Sequence, residues 1–271
     1  MKREPLPVAV AQIDATVGDF DANAKKIIEL GRRAETEGAS VVLFPELAVS
    51  GYPPKDFLER RSFVLAAERT SAKIARATGS ALWLFGSLLR NRAKSGRPVY
   101  NVAVAARAGR AVAVYRKRLL PNYDVFDEGR YFEAGTEAVA VRAGGRRLGV
   151  TVCEDIWNDK TFWKKPLYEG DPVADLKPLG ADLHVNISAS PWLVGKGRLR
   201  ERMMRQVARR THIPLVFCNL VGGNDGLVFD GQSCAFDATG RVVARGRAFA
   251  EDFWIVDVPG GTGPVAKREE G

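Results

Sequence analysis

Apolar residues in this chain fall into short runs broken by polar, glycine-marked segments, and the period of the pattern changes from run to run. Leu6 to Ile13 reads as a buried strand. After it, Ile27, Ile28 and Leu30 share one face of a helix that Asp21 can cap, that runs to about Glu37 and that Gly38 ends. Val41 to Phe44 is the next strand, Ser62 to Ala77 a second helix, and Ala81 to Leu88 a further strand. Val99 to Arg107 and Arg110 to Tyr115 form a hairpin turning at Ala108-Gly109, and another hairpin turns at Gly144-Gly145 to deliver Arg147 to Val152. Ala181 to Ile187 is a strand, Arg198 to Thr211 a helix and Pro214 to Leu220 a strand. The last third reads as strands turning at Gly231 and Gly240.

Helices alternate with strands while hairpins intrude. That mixture excludes a purely parallel doubly wound sheet and suits an α/β fold of layered, mixed sheets with helices on the outer faces. The 271 residues, 46% of them hydrophobic, fit one large domain over residues 1–259. The Gly-rich, charged stretch 260–271 is expected to be a flexible tail. Asn158 to Gly180, with Phe162, Trp163 and Tyr168, is a long insertion suited to a lid or a docking surface.

Composition narrows the function classes. The apolar runs are far shorter than the ~20 residues a membrane helix needs, and the N-terminus carries no apolar leader, so a soluble cytoplasmic protein is expected. Cys153, Cys218 and Cys234 are odd in number and lack CxxC spacing, which argues against a disulfide framework or a zinc site. The net charge of +9 comes from basic residues scattered over helix faces and hairpins, without the interleaved aromatics of a nucleic-acid surface.

Three strand ends carry chemistry. Cys153 closes the run Leu148 to Val152 and is followed by Glu154-Asp155, where a nucleophile would be held rigidly behind and open in front. A thiol needs a base. His184, alternating within a strand, and His212, behind the basic helix end Arg209-Arg210, both read as structural. Glu46, after Phe44-Pro45, can serve instead, since burial raises a carboxylate toward the range a general base needs. The basic run Tyr115-Arg116-Lys117-Arg118 supplies positive charge for a developing oxyanion. A buried structural thiol, a solvated loop glutamate and a solvated hairpin tip are the plainer readings of the same three places.

The chain also resembles the nitrilase (carbon-nitrogen hydrolase) superfamily, from Ala9-Val10-Ala11-Gln12 to the Gly231-Gln232-Ser233 strand. Within it the resemblance is to the glutaminase-domain branch of glutamine-dependent NAD synthetases. It is carried by Phe44-Pro45-Glu46-Leu47 with Ser50-Gly51-Tyr52-Pro53-Pro54, by Lys117 to Tyr123 with Val125 to Phe132, and by Val152 to Trp157. The resemblance implies a four-layer α-β-β-α sandwich, pairing into homo-oligomers, and a hydrolase needing no cofactor or metal. Glu46 would be general base, Lys117 oxyanion stabiliser and Cys153 nucleophile, with Glu128 orienting Lys117 and the Glu154 N–H completing the oxyanion hole. Tyr123, Ser190 and Lys196 fall where that branch binds glutamine, and Trp157 should line the pocket.

The expected activity is release of ammonia from the glutamine side chain through a cysteine thioester, for an ammonia-dependent NAD synthetase. A Gly-rich ATP pyrophosphatase segment has no counterpart in these residues, and Gly195-Lys196-Gly197 is no phosphate loop. The implied alternatives are a separate ammonia-supplying subunit, an independent amidase or carbamoylase, part of a longer chain, or a non-enzymatic glutamine-sensing or docking subunit.

Overall fold

A computed structural model describes residues 4–258 and residue 264. In chain order the elements are β1 (Leu6–Gln12), α1 (Phe20–Thr36), β2 (Val41–Leu43), α2 (Arg61–Ala77), β3 (Leu82–Arg90), β4 (Val99–Arg107), β5 (Arg110–Arg116) and α3 (Glu128–Tyr131). There follow β6 (Val139–Ala143), β7 (Arg146–Val152), β8 (Leu183–Ser188), α4 (Lys196–Thr211), β9 (Leu215–Asn219), β10 (Val221–Asn224), β11 (Leu227–Asp230), β12 (Cys234–Phe236), β13 (Val242–Arg245) and β14 (Asp252–Val258). The expected tail at 260–271 lies outside the described residues apart from Pro264.

The strands form two six-stranded sheets, ordered β14-β1-β2-β3-β4-β5 and β13-β12-β9-β8-β7-β6, beside the small hairpin β10-β11. In each sheet the middle strands are parallel, β1-β2-β3 in one and β7-β8-β9 in the other, and the flanking pairs are antiparallel. These are the mixed sheets that the hairpins in the sequence called for.

Alternation along each strand sends side chains to two different cores. Val8, Val10, Leu43 and Leu84 of the first sheet pack with Val150, Val152, Val185 and Ile187 of the second. Their neighbours Ala9, Ala11, Val42, Trp83 and Phe85 turn the other way, onto Ala24, Ile27, Val64 and Ile74 of α1 and α2. A third cluster joins Leu215, Phe217 and Phe236 to Met203, Met204 and Val207 of α4. The apolar clusters thus join the first sheet to α1 and α2, the two sheets to each other, and the second sheet to α4. Because the two sheets bury each other as well as their helices, β2 and much of β1 and β3 read as nearly continuous apolar runs, whereas β8 alternates apolar residues with the buried His184 and Asn186. Each fully buried Val, Leu or Ile contributes about 1.5–3 kcal/mol.

Local chemistry accounts for most of the boundaries. The cap of α1 is Asp19, whose carboxylate accepts the Ala22 N–H at 3.0 Å, and Asp21 lies in the first turn instead of capping. The correction is geometric, because the cap must stand one residue outside the first helical position with a non-helical backbone, as Asp19 does with φ −86° and ψ 69°. Both expected hairpins turn where two successive residues take positive φ, Ala108 and Gly109 at 52° and 77°, and Gly144 and Gly145 at 50° and 73°. The short elements that escape a periodicity reading include α3 and the single 3-10 turn Cys153–Ile156 that follows β7.

Candidate active site

The parallel strands of both sheets end on one side of the molecule, and the residues just beyond those ends make the site, the usual location for ligands in parallel α/β sheets. Glu46 follows β2, Cys153 follows β7, and Ala189 and Ser190 follow β8. Lys117 arrives from the antiparallel flank, directly after β5.

Glu46 and Lys117 are both fully buried and hydrogen-bonded to one another. The Lys117 Nζ donates to Glu46 Oε1 at 2.8 Å and to both oxygens of Glu128, at 2.9 and 2.7 Å. Three N–H donors thus meet three carboxylate contacts, which fully occupies an ammonium. Asn101 Nδ2 donates to Glu46 Oε1 at 2.7 Å, the Ala189 N–H donates to Glu46 Oε2 at 2.8 Å, and the Tyr52 hydroxyl donates to Glu128 Oε1 at 2.9 Å. Burial works against the Lys117 charge, but the Glu128 and Glu46 carboxylates outweigh it and hold the ammonium well above its ordinary range. Burial pushes Glu128 up to about 7 against the pull of Lys117.

Cys153 opens the 3-10 turn with φ at 44°, in the left-handed region. Burial first, and then the Glu46 carboxylate, push its thiol well above the usual cysteine range, while Lys117 draws it the other way. The thiol is therefore protonated at rest, and its use as a nucleophile requires a base. Asp155 holds the turn in place. Its Oδ2 accepts the Val152 N–H and the Tyr115 hydroxyl, at 2.9 and 2.8 Å, and its Oδ1 accepts the Arg118 and Leu119 N–H groups, at 3.1 and 2.9 Å. One carboxylate thereby ties the segment after Lys117 to the segment bearing Cys153.

Cys153 borders a cavity of about 690 Å³ that is also lined by Tyr123, Glu154, Trp157, Tyr168, Ser190 and Lys196. Every pocket residue expected from the sequence is there. The Glu154 carboxylate accepts the Tyr123 hydroxyl at 2.9 Å and the Tyr168 hydroxyl at 3.1 Å, and burial raises its pKa. Lys196 stands 5.6 Å over the rings of both Phe126 and Trp157, and burial lowers its pKa. Ser190 is buried, and among the described residues its hydroxyl has no hydrogen-bond partner. Asn219 holds it by the backbone, Oδ1 accepting the Ser190 N–H at 2.9 Å.

The 158–180 insertion is a wall of this cavity. Trp163, Lys165, Leu167 and Tyr168 line it, and the Asn158 side chain fixes the bend by donating to the Tyr168 and Gly170 carbonyls at 2.8 and 2.6 Å. Among the described residues, no group of three or more His, Cys, Asp or Glu side chains could hold a metal ion, and no helix is long and apolar enough to cross a membrane. His184 is buried in β8, where burial and Arg210 take its pKa down to about 4, and His212 is the C-cap of α4.

Sequence reasoning assigned no individual role at the site to Tyr52, Asp155 or Tyr168 and did not single out Asn101. Asn101 was detectable: it shares the inward face of β4 with Ala103 and Ala105, so it is a polar residue at an apolar position. Tyr168 offered no such signal, because it lies in an irregular segment.

The carbon-nitrogen hydrolase family model matches residues 7–267. A glutamine-dependent NAD(+) synthetase of Thermotoga maritima is 42% identical over 260 residues, 95% of this chain and 42% of the relative. One from Synechocystis sp. is 39% identical over 253 residues, 92% of this chain and 45% of the relative. The chain therefore spans less than half the length of these relatives. Among solved structures, the glutamine-dependent NAD+ synthetase of Acinetobacter baumannii superposes with a TM-score of 0.85 at 30% identity, over 99% of this chain and 48% of that one. A nitrilase-superfamily amidase of Nesterenkonia AN1 covers 96% of this chain and 93% of its own, with a TM-score of 0.79; at 24% identity it attests the fold alone. A match over nearly the whole length, joined to the shared fold, places the chain in the carbon-nitrogen hydrolase family, the nitrilase superfamily of enzymes.

Proposed function

We propose that the chain hydrolyses the side-chain amide of L-glutamine through a Cys153 thioester and supplies the ammonia to an NAD synthetase. The observation that carries the reading is the buried Glu46–Lys117–Glu128 network beside the thiol of a cavity whose wall holds both a carboxylate, Glu154, and an ammonium, Lys196. An amino-acid zwitterion presents the complementary pair of charges. Lys196 would take the α-carboxylate, Glu154 with Tyr123 the α-ammonium, and the free Ser190 hydroxyl a further polar atom of the substrate. The relatives' names join glutamine to NAD synthesis, which supports both the substrate and the ammonia acceptor.

In this reading Glu46 takes the thiol proton as Sγ attacks the amide carbon, and passes it to the departing nitrogen so that ammonia leaves. A γ-glutamyl thioester remains. Water, deprotonated by Glu46, then attacks that carbonyl, and the proton returns to sulfur as glutamate departs. The Glu154 N–H belongs to the first turn of a short helix, where N–H groups have no partner within the turn, and it donates to the oxyanion. All three Lys117 donors are engaged at rest, so Lys117 contributes through its charge or by releasing one Glu128 contact.

The test is a substrate comparison. L-Glutamine should exceed butyramide in kcat/KM by roughly 100-fold or more, the worth of two charged contacts absent from the simple amide. Lys196→Met should raise the KM for L-glutamine about tenfold and leave butyramide turnover alone. Equal turnover of the two amides by the native chain would place it with general amidases instead.

Gly86 of β3 tests the placement of Glu46. Its N–H donates to the Pro45 carbonyl at 3.0 Å, and a Cβ there would stand 2.1 Å from the Leu47 nitrogen and 2.6 Å from Glu46 Cα. Only backbone lies in the way, so Gly86→Ala must push the Glu46 segment outward. Overpacking of this kind costs about 1–3 kcal/mol, and a displacement near 1 Å lowers kcat roughly 100-fold. Thermal melts and ammonia release read the two effects, and a variant with native kcat would show that the Glu46 position is not critical.

A further inference from the structure

We propose that Asn101 is a positioning residue that selects which oxygen of Glu46 accepts the proton: with Lys117 it saturates Oε1 and leaves Oε2 as the base. The inference rests on the reading of Glu46 as general base and adds to it an atom-level assignment.

The argument is a count of lone pairs. A carboxylate presents about four acceptor sites, two on each oxygen. On Glu46, Oε1 receives Asn101 Nδ2 at 2.7 Å and Lys117 Nζ at 2.8 Å, which fills it. Among the described residues Oε2 receives only the Ala189 N–H, at 2.8 Å, which leaves one acceptor site to spare. Glu46 itself is fully buried. Asn101 thus decides the matter, because without it each oxygen would have one donor and one open site.

The orientation of the Asn101 amide follows from the same network. Glu46, when ionised, can only accept, so the NH2 must face it; the reverse orientation would set oxygen against oxygen. The consequence is that Asn101 Oδ1 is left buried with no hydrogen-bond partner among the described residues. An orphaned buried acceptor is destabilising, and a residue kept only for packing would be better served by an apolar side chain of similar volume. The Asn101 carbonyl, in addition, accepts the Lys117 N–H at 2.9 Å. One residue of β4 therefore aligns both the carboxylate, through its side chain, and the lysine, through its backbone. Substitution of the side chain leaves the second of these contacts in place and isolates the first.

The titratable groups around Glu46 are Lys117 after β5, Glu128 of α3, Cys153 after β7 and Tyr52 in the segment following β2. None is altered in Asn101→Leu or Asn101→Asp, so a change in pH dependence reports on the Asn101 contact. Loss of a donor to the carboxylate should move the acid limb of kcat/KM for L-glutamine up by about one pH unit and lower kcat roughly 10- to 100-fold, with KM within about threefold. Asn101→Asp should move the limb further, since it adds a like charge, and Asn101→Ser, which keeps a donor, should restore part of the rate.

The same profile is read without glutamine from the pH dependence of Cys153 alkylation by iodoacetamide, with near-UV circular dichroism confirming that each variant is folded. A folded Asn101→Leu whose limb is unmoved in both assays, or that loses kcat and gains KM together at an unmoved limb, overturns the inference. If the native chain alkylates with a limb that shifts in the variants yet turns over no glutamine, the substrate reading fails and the Asn101 assignment stands. Should Asn101→Leu not fold, Asn101→Ser against Asn101→Asp decides: a limb that is the same in both overturns it.

Discussion

Replacing Cys153 with alanine is expected to lower ammonia release from L-glutamine by roughly 10⁴-fold or more, because covalent catalysis is lost as a unit and not in part. The thiol borders the 690 Å³ cavity, stands at the turn where β7 ends, and is held in the protonated form by burial and by the Glu46 carboxylate. Its reactivity therefore depends on transfer of the proton at the moment of attack, and a methyl group in its place offers neither the proton nor the nucleophile. Steady-state ammonia release measures the rate. Mass spectrometry of acid-quenched enzyme should find a γ-glutamyl adduct on the native chain and none on the variant. Activity within about tenfold of native in Cys153→Ala would rule out the thioester route. Calorimetric binding of L-glutamine to the variant should persist, since Tyr123, Ser190 and Lys196 are untouched.

Lys117→Met is the second large effect, and it reaches stability as well as rate. The substitution leaves Glu46 and Glu128 buried without the ammonium that both contact. Breaking a buried ion pair from one side costs about 3–5 kcal/mol, more than the pair contributes intact, because the remaining charge has lost water and partner together. The pH dependence has a definite sign. A lysine with a raised pKa contributes stability that is present below its unfolded pKa and is withdrawn only as pH passes its folded one, so the native pair persists well above neutrality.

Glu128, by contrast, is pushed up to about 7 even with Lys117 present, and it rises further without it. A carboxyl raised in this way favours the folded state at low pH and disfavours it as pH climbs through the folded value. The variant should therefore be strongly destabilised at about pH 8 and regain much of the loss at about pH 5, whereas turnover stays absent at both. Urea denaturation at the two pH values reads the difference. Equal stability at both would mean that the carboxylates find another partner when Lys117 is removed.

Several of these residues were legible in the sequence because each marks an abrupt change in pattern. Glu46 stands at a proline-marked break after the apolar run Val41 to Phe44, Cys153 stands where the mainly apolar run Leu148 to Val152 meets Glu154-Asp155, and Lys117 follows directly on a strand end among basic neighbours. Elements with their own periodicity were equally plain, as α1, α2 and the hairpin at Ala108-Gly109 are. The cap of α1 was misplaced by two residues, from Asp19 to Asp21, since both are acidic and only the backbone angles separate them.

What the sequence by itself determined, then, were the local matters: alternation, helix faces, turn chemistry and which side chains stand at strand ends. Those follow from forces between residues near in the chain. The family resemblance had already grouped Glu46, Lys117 and Cys153 by role, but only the tertiary structure decided how they are held together: Glu46 of one sheet takes the Ala189 N–H of the other, and Asp155 ties the segment after Lys117 to the segment bearing Cys153. It also decided that Asn101 and Tyr52 complete the hydrogen bonds of two buried carboxylates and that Tyr168 of the insertion reaches Glu154. The reason is physical. These contacts depend on strand order and on two sheets burying a common apolar face, and that burial is indifferent to which residues lie at the strand ends, so no local pattern encodes their meeting.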